Sequence, residues 1–392
     1  MSNLIGIYRG KYPVLEIRRG KIPIWKSPGW QTPVTKLGLA FTVNLPTAGD
    51  IRKLPNNGVL QKSSATVPTQ YSIYDDKFNP TTLTVAGTTY QNFAMTTIDA
   101  SEKHVIFSSN DATDPRNNPY GATELYKYDE DGNLTPDRLS TSGYTFYNPD
   151  QILVTNEGNI FIRSNSADIV NTGPNRANSL YMLLAGKTTL TTVGALQTIY
   201  AVGIYDNEIY AVVKNANVWS LSKYDSTGNL LINSPLTGAV LPTTINQFSD
   251  FRIANAVSDA AGNMFFMYYT RAGSVSISWN VAKVSTGGFA TTVNIGDFLS
   301  IDSSSRLDWT LDIDKYGNVY GSGNTGTSKI SAFKISNDMT LQWKMGTYST
   351  SQIPSVDGEP FNHFFTDDGL FYVQRKLTTG NFVIDVYQQT NI

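Results

Sequence analysis

The acidic turns are the first residues here that could do chemistry. Asp129-Glu-Asp-Gly-Asn133 starts like a calcium loop, and Asp225, Asp259 and Asp314 open related Asp-x-x-Gly-Asn patterns. A full calcium loop wants further oxygen ligands and a bidentate glutamate at its twelfth position. Counted from Asp129 that position is Ser140, so the pattern fails. Asp, Asn and Gly accept the positive φ of tight hairpins, and their recurrence reads as punctuation between strands. The only two histidines, His104 and His363, exclude a histidine-rich metal site by count. They read as surface or half-buried residues, though a closed ring would set them one blade apart. There is no cysteine, which excludes disulfides, thiolate metal sites and cysteine nucleophiles. Gly321-Ser-Gly-Asn-Thr-Gly326 lies between two strands and lacks the helix N-terminus that phosphate binding uses. Asp250, Asp297, Asp308 and Asp312 are candidate acids for glycoside hydrolysis, but nothing selects two of them to flank a cleft. The expectation is a non-enzyme without metal or cofactor, with a propeller glycan hydrolase as the alternative.

Binding chemistry is better provided for. Two long polar segments, Ser109–Tyr120 and Ser164–Asn178, carry Arg116, Asn118, Tyr120 and Arg176. A third, Gly143–Pro149, adds Tyr144 and Tyr147. Planar hydrogen-bonding groups beside aromatic rings are suited to sugar recognition. These six residues are the predicted ligand-binding set.

The elements that must position them follow from composition and period. Among 392 residues only 16% are charged, while 12% are aromatic, with 31 Gly and 17 Pro. Such a mixture of strand formers and turn formers points to an all-β chain. A strand–turn–strand unit recurs with its turn at Glu102, Gly158, Asn207, Gly262, Gly317 and Gly369, at spacings of 56, 49, 55, 55 and 52 residues. That period fits β-propeller blades. A second hairpin follows the first five of these units, as in Leu125–Leu134 and Leu221–Leu230, making four strands per blade. Six units predict a six-bladed propeller over residues 69–392. An orphan second hairpin at Tyr71–Leu83 makes seven blades the alternative. The last blade lacks a strand, which residues 81–87 are expected to supply, closing the ring with both chain ends. Residues 27–68, with Pro28, Pro33, Pro46, Pro55 and Pro68, read as a linker or stalk holding one strand, Leu37–Leu45.

Residues 1–26 hold two tandem units, Ile7-Tyr-Arg-Gly-Lys-Tyr-Pro-Val14 and Ile17-Arg-Arg-Gly-Lys-Ile-Pro-Ile24. Each reads as a short strand, a Gly-centred turn and a second strand. Six basic residues, Arg9, Lys11, Arg18, Arg19, Lys21 and Lys26, face one acid, Glu16. Strands this short are not stable alone, so the segment reads as a docking arm or as a hairpin capping its own domain. Its Ile-Tyr-x-Gly units, closed by Ile24-Trp25, resemble a short module of tailed-bacteriophage tail and fibre proteins. The second unit departs from that module, with Arg18 in place of Tyr.

The resemblance implies a virion component attached through residues 1–26, with Tyr8, Arg9, Gly10, Arg18, Arg19, Gly20 and Trp25 as docking residues. Other virion proteins would be its partners, and the propeller would meet a host-surface glycan or neighbouring virion proteins. It implies residence in the virion after synthesis in the host cytoplasm. A bacterial surface adhesin or scaffold is the remaining alternative. The net charge of −2 lacks the basic excess of a nucleic-acid binder. No apolar run approaches the ~18 residues of a membrane span, and no signal peptide is visible at the start. Homo-oligomer formation stays open, since no heptad repeat marks a coiled coil.

Overall fold

The computed structural model describes residues 7–9, 12–14, 16–19, 22–26, 35–45, 51–53, 58–62, 69–75, 77–85, 92–98, 104–110, 123–129, 134–139, 149–164, 179–194, 198–215, 217–242, 256–272, 276–296, 309–324, 330–345 and 359–391. Every regular element among them is a strand. Two compact units divide the chain, Met1–Lys36 with Thr390–Ile392, and Leu37–Gln389.

The smaller unit holds two antiparallel pairs, as the tandem units predict. The first is β1 (Ile7–Arg9) with β2 (Tyr12–Val14), and the second is β3 (Glu16–Arg19) with β4 (Ile22–Lys26).

The larger unit is a β-propeller of seven sheets. Its last sheet takes β5 (Thr35–Leu45) from near the chain start. The first sheet is β6 (Ile51–Lys53), β7 (Val59–Lys62), β8 (Thr69–Tyr74) and β9 (Pro80–Val85). The second is β10 (Asn92–Ile98), β11 (His104–Asn110), β12 (Thr123–Asp129) and β13 (Leu134–Leu139). The third is β14 (Pro149–Val154), β15 (Ile160–Ser164), β16 (Ser179–Leu183) and β17 (Thr191–Val193). The fourth is β18 (Thr198–Tyr205), β19 (Glu208–Asn215), β20 (Val218–Tyr224) and β21 (Leu230–Pro235). The chain then adds β22 (Thr237–Gly238), parallel, to the outer edge of the fifth sheet, β23 (Ala256–Ser258), β24 (Met264–Ala272), β25 (Ser276–Val284) and β26 (Phe289–Gly296). The sixth is β27 (Trp309–Ile313), β28 (Val319–Asn324), β29 (Ile330–Ile335) and β30 (Leu341–Met345). The seventh is β31 (Glu359–Phe365), β32 (Phe371–Lys376) and β33 (Phe382–Asn391), with β5 outermost.

Inner strands touch in the order β6, β10, β14, β18, β23, β27, β31 and back to β6, which closes the ring. The blade count is therefore seven, the alternative of the two sequence counts. The orphan hairpin is β8–β9, and β6 and β7 complete its blade. Two expectations are corrected by this. Residues 27–68 are not a linker throughout, because β5, β6 and β7 are propeller strands. Residues 81–87 do not close the last blade, because residues 80–85 are the outer strand of the first. The physical reason is that β6 and β7 are only three and four residues long, too short for the periodic pattern to register between prolines.

The described acidic turns are hairpin caps, and residues 130–133 of the Asp129 turn lie outside the described residues. Asp225 accepts from the backbone N–H groups of Thr227 and Asn229, both at 2.9 Å, and from Asn229 Nδ2 at 2.9 Å. Asp259 and Asp314 repeat the arrangement, and so does Asp75. In each turn the first N–H donates to the fifth carbonyl and the fourth to the first. The fourth residue then has positive φ, as at Gly228 (83°) or, without glycine, at Phe78 (62°). Position four of the motif is thus a conformational requirement rather than a ligand requirement.

Apolar clusters fill the spaces between blades. One joins the fifth and sixth around Trp279, Phe265 and Phe333. Another joins the third and fourth around Phe161, Val202 and Tyr224. Phe333 lies across the strand pair on Gly321, where a Cβ would enter its ring, so only glycine fits there. The closing strand serves two clusters. Leu37 packs with Tyr320, Trp343 and Tyr387, and Leu45 with Ile51, Tyr372 and Ile384. One strand thereby ties the seventh blade to both neighbours.

Candidate functional site

The predicted ligand residues Arg116, Asn118, Tyr120, Tyr144, Tyr147 and Arg176 lie outside the described residues. The strands that flank them are described. Asn110 pairs with Thr123, and Ser164 pairs with both Pro149 and Ser179. The described strand ends on either side of segments 111–122, 140–148 and 165–178 therefore lie at one end of the second and third blades. Among the docking residues, Tyr8 and Arg9 lie in β1, Arg18 and Arg19 in β3, and Trp25 in β4. Gly10 and Gly20 fall outside the described residues.

Polar side chains on the ring's inner strands form the most organised chemistry in the described part. An inner strand is a sheet edge, so its outward peptide groups need partners. Gln151 of β14 supplies both at once to the next blade. Its Nε2 donates to Val202 O and its Oε1 accepts from Val202 N, each at 2.9 Å. Arg163 is buried beside it and donates Nε to Ile199 O at 3.0 Å. Asp312 of β27 accepts from Phe365 N of β31 at 2.8 Å. These bonds stitch one blade to the next through backbone rather than side-chain partners.

Around Asp312 the site becomes charged. Lys53 of the first blade reaches Asp367 at 2.7 Å and Asp312 at 3.8 Å, so three consecutive blades meet on one ammonium. Burial pushes the Asp312 carboxyl up, while Lys53 and the Phe365 N–H oppose that rise and Asp367 adds to it. A carboxyl raised by burial and steadied by one cation can hold or release a proton. Of the four candidate acids, only Asp312 lies among the described residues.

His363 is buried on the inner strand of the seventh blade. Its Nδ1 lies 2.9 Å from Ser322 Oγ, which lies 2.8 Å from Thr310 Oγ1. This relay crosses from the sixth to the seventh blade. Ser322 is fully buried, so it offers no approach to a substrate. The half-buried or surface reading of His363 is corrected to a buried one. His104 opens β11 in the second blade, two blades from His363 around the ring rather than one, because the first blade intervenes. Among the described residues no group of three metal-ligating side chains occurs.

The closing blade has its own polar core. Asp385, fully buried on β33, pairs with Arg375 Nε and accepts from Thr42 Oγ1 of β5 at 2.7 Å. The Tyr387 hydroxyl adds a 3.4 Å bond to the same carboxylate. Burial, reinforced by the Asp385 charge, pushes the Tyr387 phenol up. Sequence reasoning passed over Lys53, Gln151, Asp367, Arg375 and Asp385. One signal for Asp385 was present, a single acid inside the apolar run Phe382-Val-Ile-Asp-Val-Tyr387. Lys53 gave none, since it sits in the Pro-rich stretch.

The sequence matches no family model and no curated protein. Hydrazine synthase from Kuenenia stuttgartiensis is similar in structure, with TM-score 0.50 and 11% identity over 91% of this chain and 98% of that one. The β-propeller domain of the trilobed protease of Pyrococcus furiosus aligns with TM-score 0.46 and 10% identity, over 90% of this chain and 96% of that domain. A prolyl endopeptidase aligns with TM-score 0.44 and 13% identity over 88% of this chain, which spans 47% of that protein. At these identities the likeness is one of fold alone.

Proposed function

We propose that this chain is a structural component of a tailed-phage virion, anchored by residues 1–26 and presenting its propeller to a host-surface glycan. The observation that carries the reading is the N-terminal pair of hairpins. They form a compact unit separate from the ring, and two-stranded pairs of three to five residues are not stable alone. Basic strands of that kind are suited to pairing with a larger partner. The strand ends that bound the polar segments with Arg116, Asn118, Tyr120, Tyr144, Tyr147 and Arg176 lie at one end of the second and third blades. That end is the binding face in this reading.

Two arms test it. A chain lacking residues 1–26 folds with an unchanged melting temperature but fails to join assembled particles. Triple substitution of Arg116, Tyr120 and Arg176 by alanine lowers binding to intact host cells, as periodate treatment of the cells does. Full particle incorporation without residues 1–26 contradicts the anchor, and undiminished binding by the triple variant contradicts the face.

A second reading, a glycan hydrolase, draws on Asp312 and Asp367 sharing Lys53. Turnover of a glycoside that Asp312→Asn abolishes would establish it.

A further inference from the structure

The third strands of the fourth, fifth and sixth blades carry a lysine at one register, two residues before the hairpin turn: Lys223, Lys283 and Lys334. Each faces an aromatic residue across the strand pair, Tyr210, Phe265 and Tyr320. Each ammonium lies over that ring, at 5.7, 5.4 and 5.2 Å from its centroid. Their other partners differ. Lys223 forms an ion pair with Glu208 at 2.6 Å, and this hydrogen bond holds its amine above the usual lysine value. Lys283 donates to Asn337 O at 2.8 Å, a carbonyl in the strand-three-to-four turn of the next blade.

Lys334 has no such turn to reach. The next blade is the closing one, whose third strand is β33 and whose fourth is β5 from the other end of the chain. Ring closure therefore removes the carbonyl that Lys283 uses. Among the described residues Lys334 has the Tyr320 ring beneath it and no hydrogen-bond acceptor for its amine. The surrounding groups are already engaged. Tyr320 donates to Asp314 Oδ2 at 3.1 Å and accepts from Gln389 Nε2 at 3.3 Å. Asp314 accepts from its own turn. The side chain is half-buried, so small reagents can reach it.

We propose that Lys334 is the preferentially nucleophilic lysine among the described residues and that it captures aldehydes at the seam where the ring closes. The nitrogen lone pair attacks the carbonyl carbon, and a proton passes from nitrogen to the former carbonyl oxygen to give a carbinolamine. Loss of water forms the C=N bond, so amine and aldehyde yield imine and water with no change of redox state. Burial lowers the Lys334 pKa below that of an ordinary lysine, against the smaller pull of Asp314. More of it is therefore neutral near pH 7.

The test is reductive methylation of the full chain with isotope-labelled formaldehyde and cyanoborohydride from pH 6.5 to 9.5, read peptide by peptide. Lys334 should be labelled several-fold faster than Lys223 and Lys283 at pH 7. Its rate should level off at a lower pH than theirs. Asp314→Asn should raise the Lys334 rate further at pH 7, because it removes the charge that favours the ammonium. Labelling of Lys334 no faster than Lys223 and Lys283, or with the same pH profile, overturns the proposal.

Discussion

The fourth and seventh blades solve the same problem in opposite ways. The fourth is one unbroken run of chain from Thr198 to Pro235. The Asp206–Asn207 turn joins its first two strands, with positive φ at both residues (51° and 62°), the geometry that matches strand twist. A turn at Asp225–Asn229 joins the last two. Turns set its register, and its facing side chains are mostly apolar. The seventh blade has no turn between β33 and β5. Its register is set by side chains instead, with Thr42 and Arg375 meeting on the buried Asp385, and with Leu37 and Leu45 seated in separate clusters. Where connectivity cannot fix a strand, buried polar partners and large apolar anchors do it.

Sequence substitutions break that contrast in graded steps. Asp385→Ala leaves Arg375 buried without its carboxylate and should cost about 3–5 kcal/mol by denaturant unfolding. No residue of the fourth blade carries a buried ion pair of this kind among the described residues. Leu37→Ala should cost about 2–5 kcal/mol, as a fully buried anchor of the closing strand. Gln151→Ala orphans the two Val202 backbone groups and should cost about 1–3 kcal/mol. In the fourth blade, Tyr224→Phe should leave stability unchanged or raise it by up to about 1 kcal/mol, since that buried hydroxyl makes no hydrogen bond of good geometry.

The smallest effect is the turn cap. Against a burial that would raise it, hydrogen bonds from Asn229 and Thr227 bring Asp225 down to about 2. A carboxyl lowered in the folded state stabilises most above its unfolded value, and that contribution fades as pH falls toward 2. The side chain is largely solvated, so Asp225→Ala should cost no more than about 1 kcal/mol at pH 7. The difference from the parent chain should shrink as pH falls from about 4 to 2 and be lost below 2, as read by thermal melts across pH.

The legibility of the molecule follows the same divide. Blades two to seven could be read because a strand–turn–strand unit recurs at spacings of 49 to 56 residues, and its tight turn favours Gly, Asn and Asp for backbone reasons. The first blade's short strands, Ile51–Lys53 and Val59–Lys62, carry too few residues for a period to register. The closing strand was visible as an apolar run, Leu37–Leu45, but its partner was not, because pairing between strands some 340 positions apart (Thr42 to Asp385) leaves no local signal. The inner-ring contacts of Gln151 and Asp312 go to backbone atoms, which have no sequence identity to match. Site residues proposed on loop composition, such as Arg116 and Tyr120, stand on their chemistry and on the strand ends that deliver them.

Two truncations test the central claim, that residues 35–45 close the ring. A chain beginning at residue 35 should unfold cooperatively at the temperature of the full chain. A chain beginning at residue 46 should lose that transition, because the seventh blade has lost its fourth strand and both apolar anchors. A cooperative melt at the full-chain temperature in the shorter chain would contradict closure by β5.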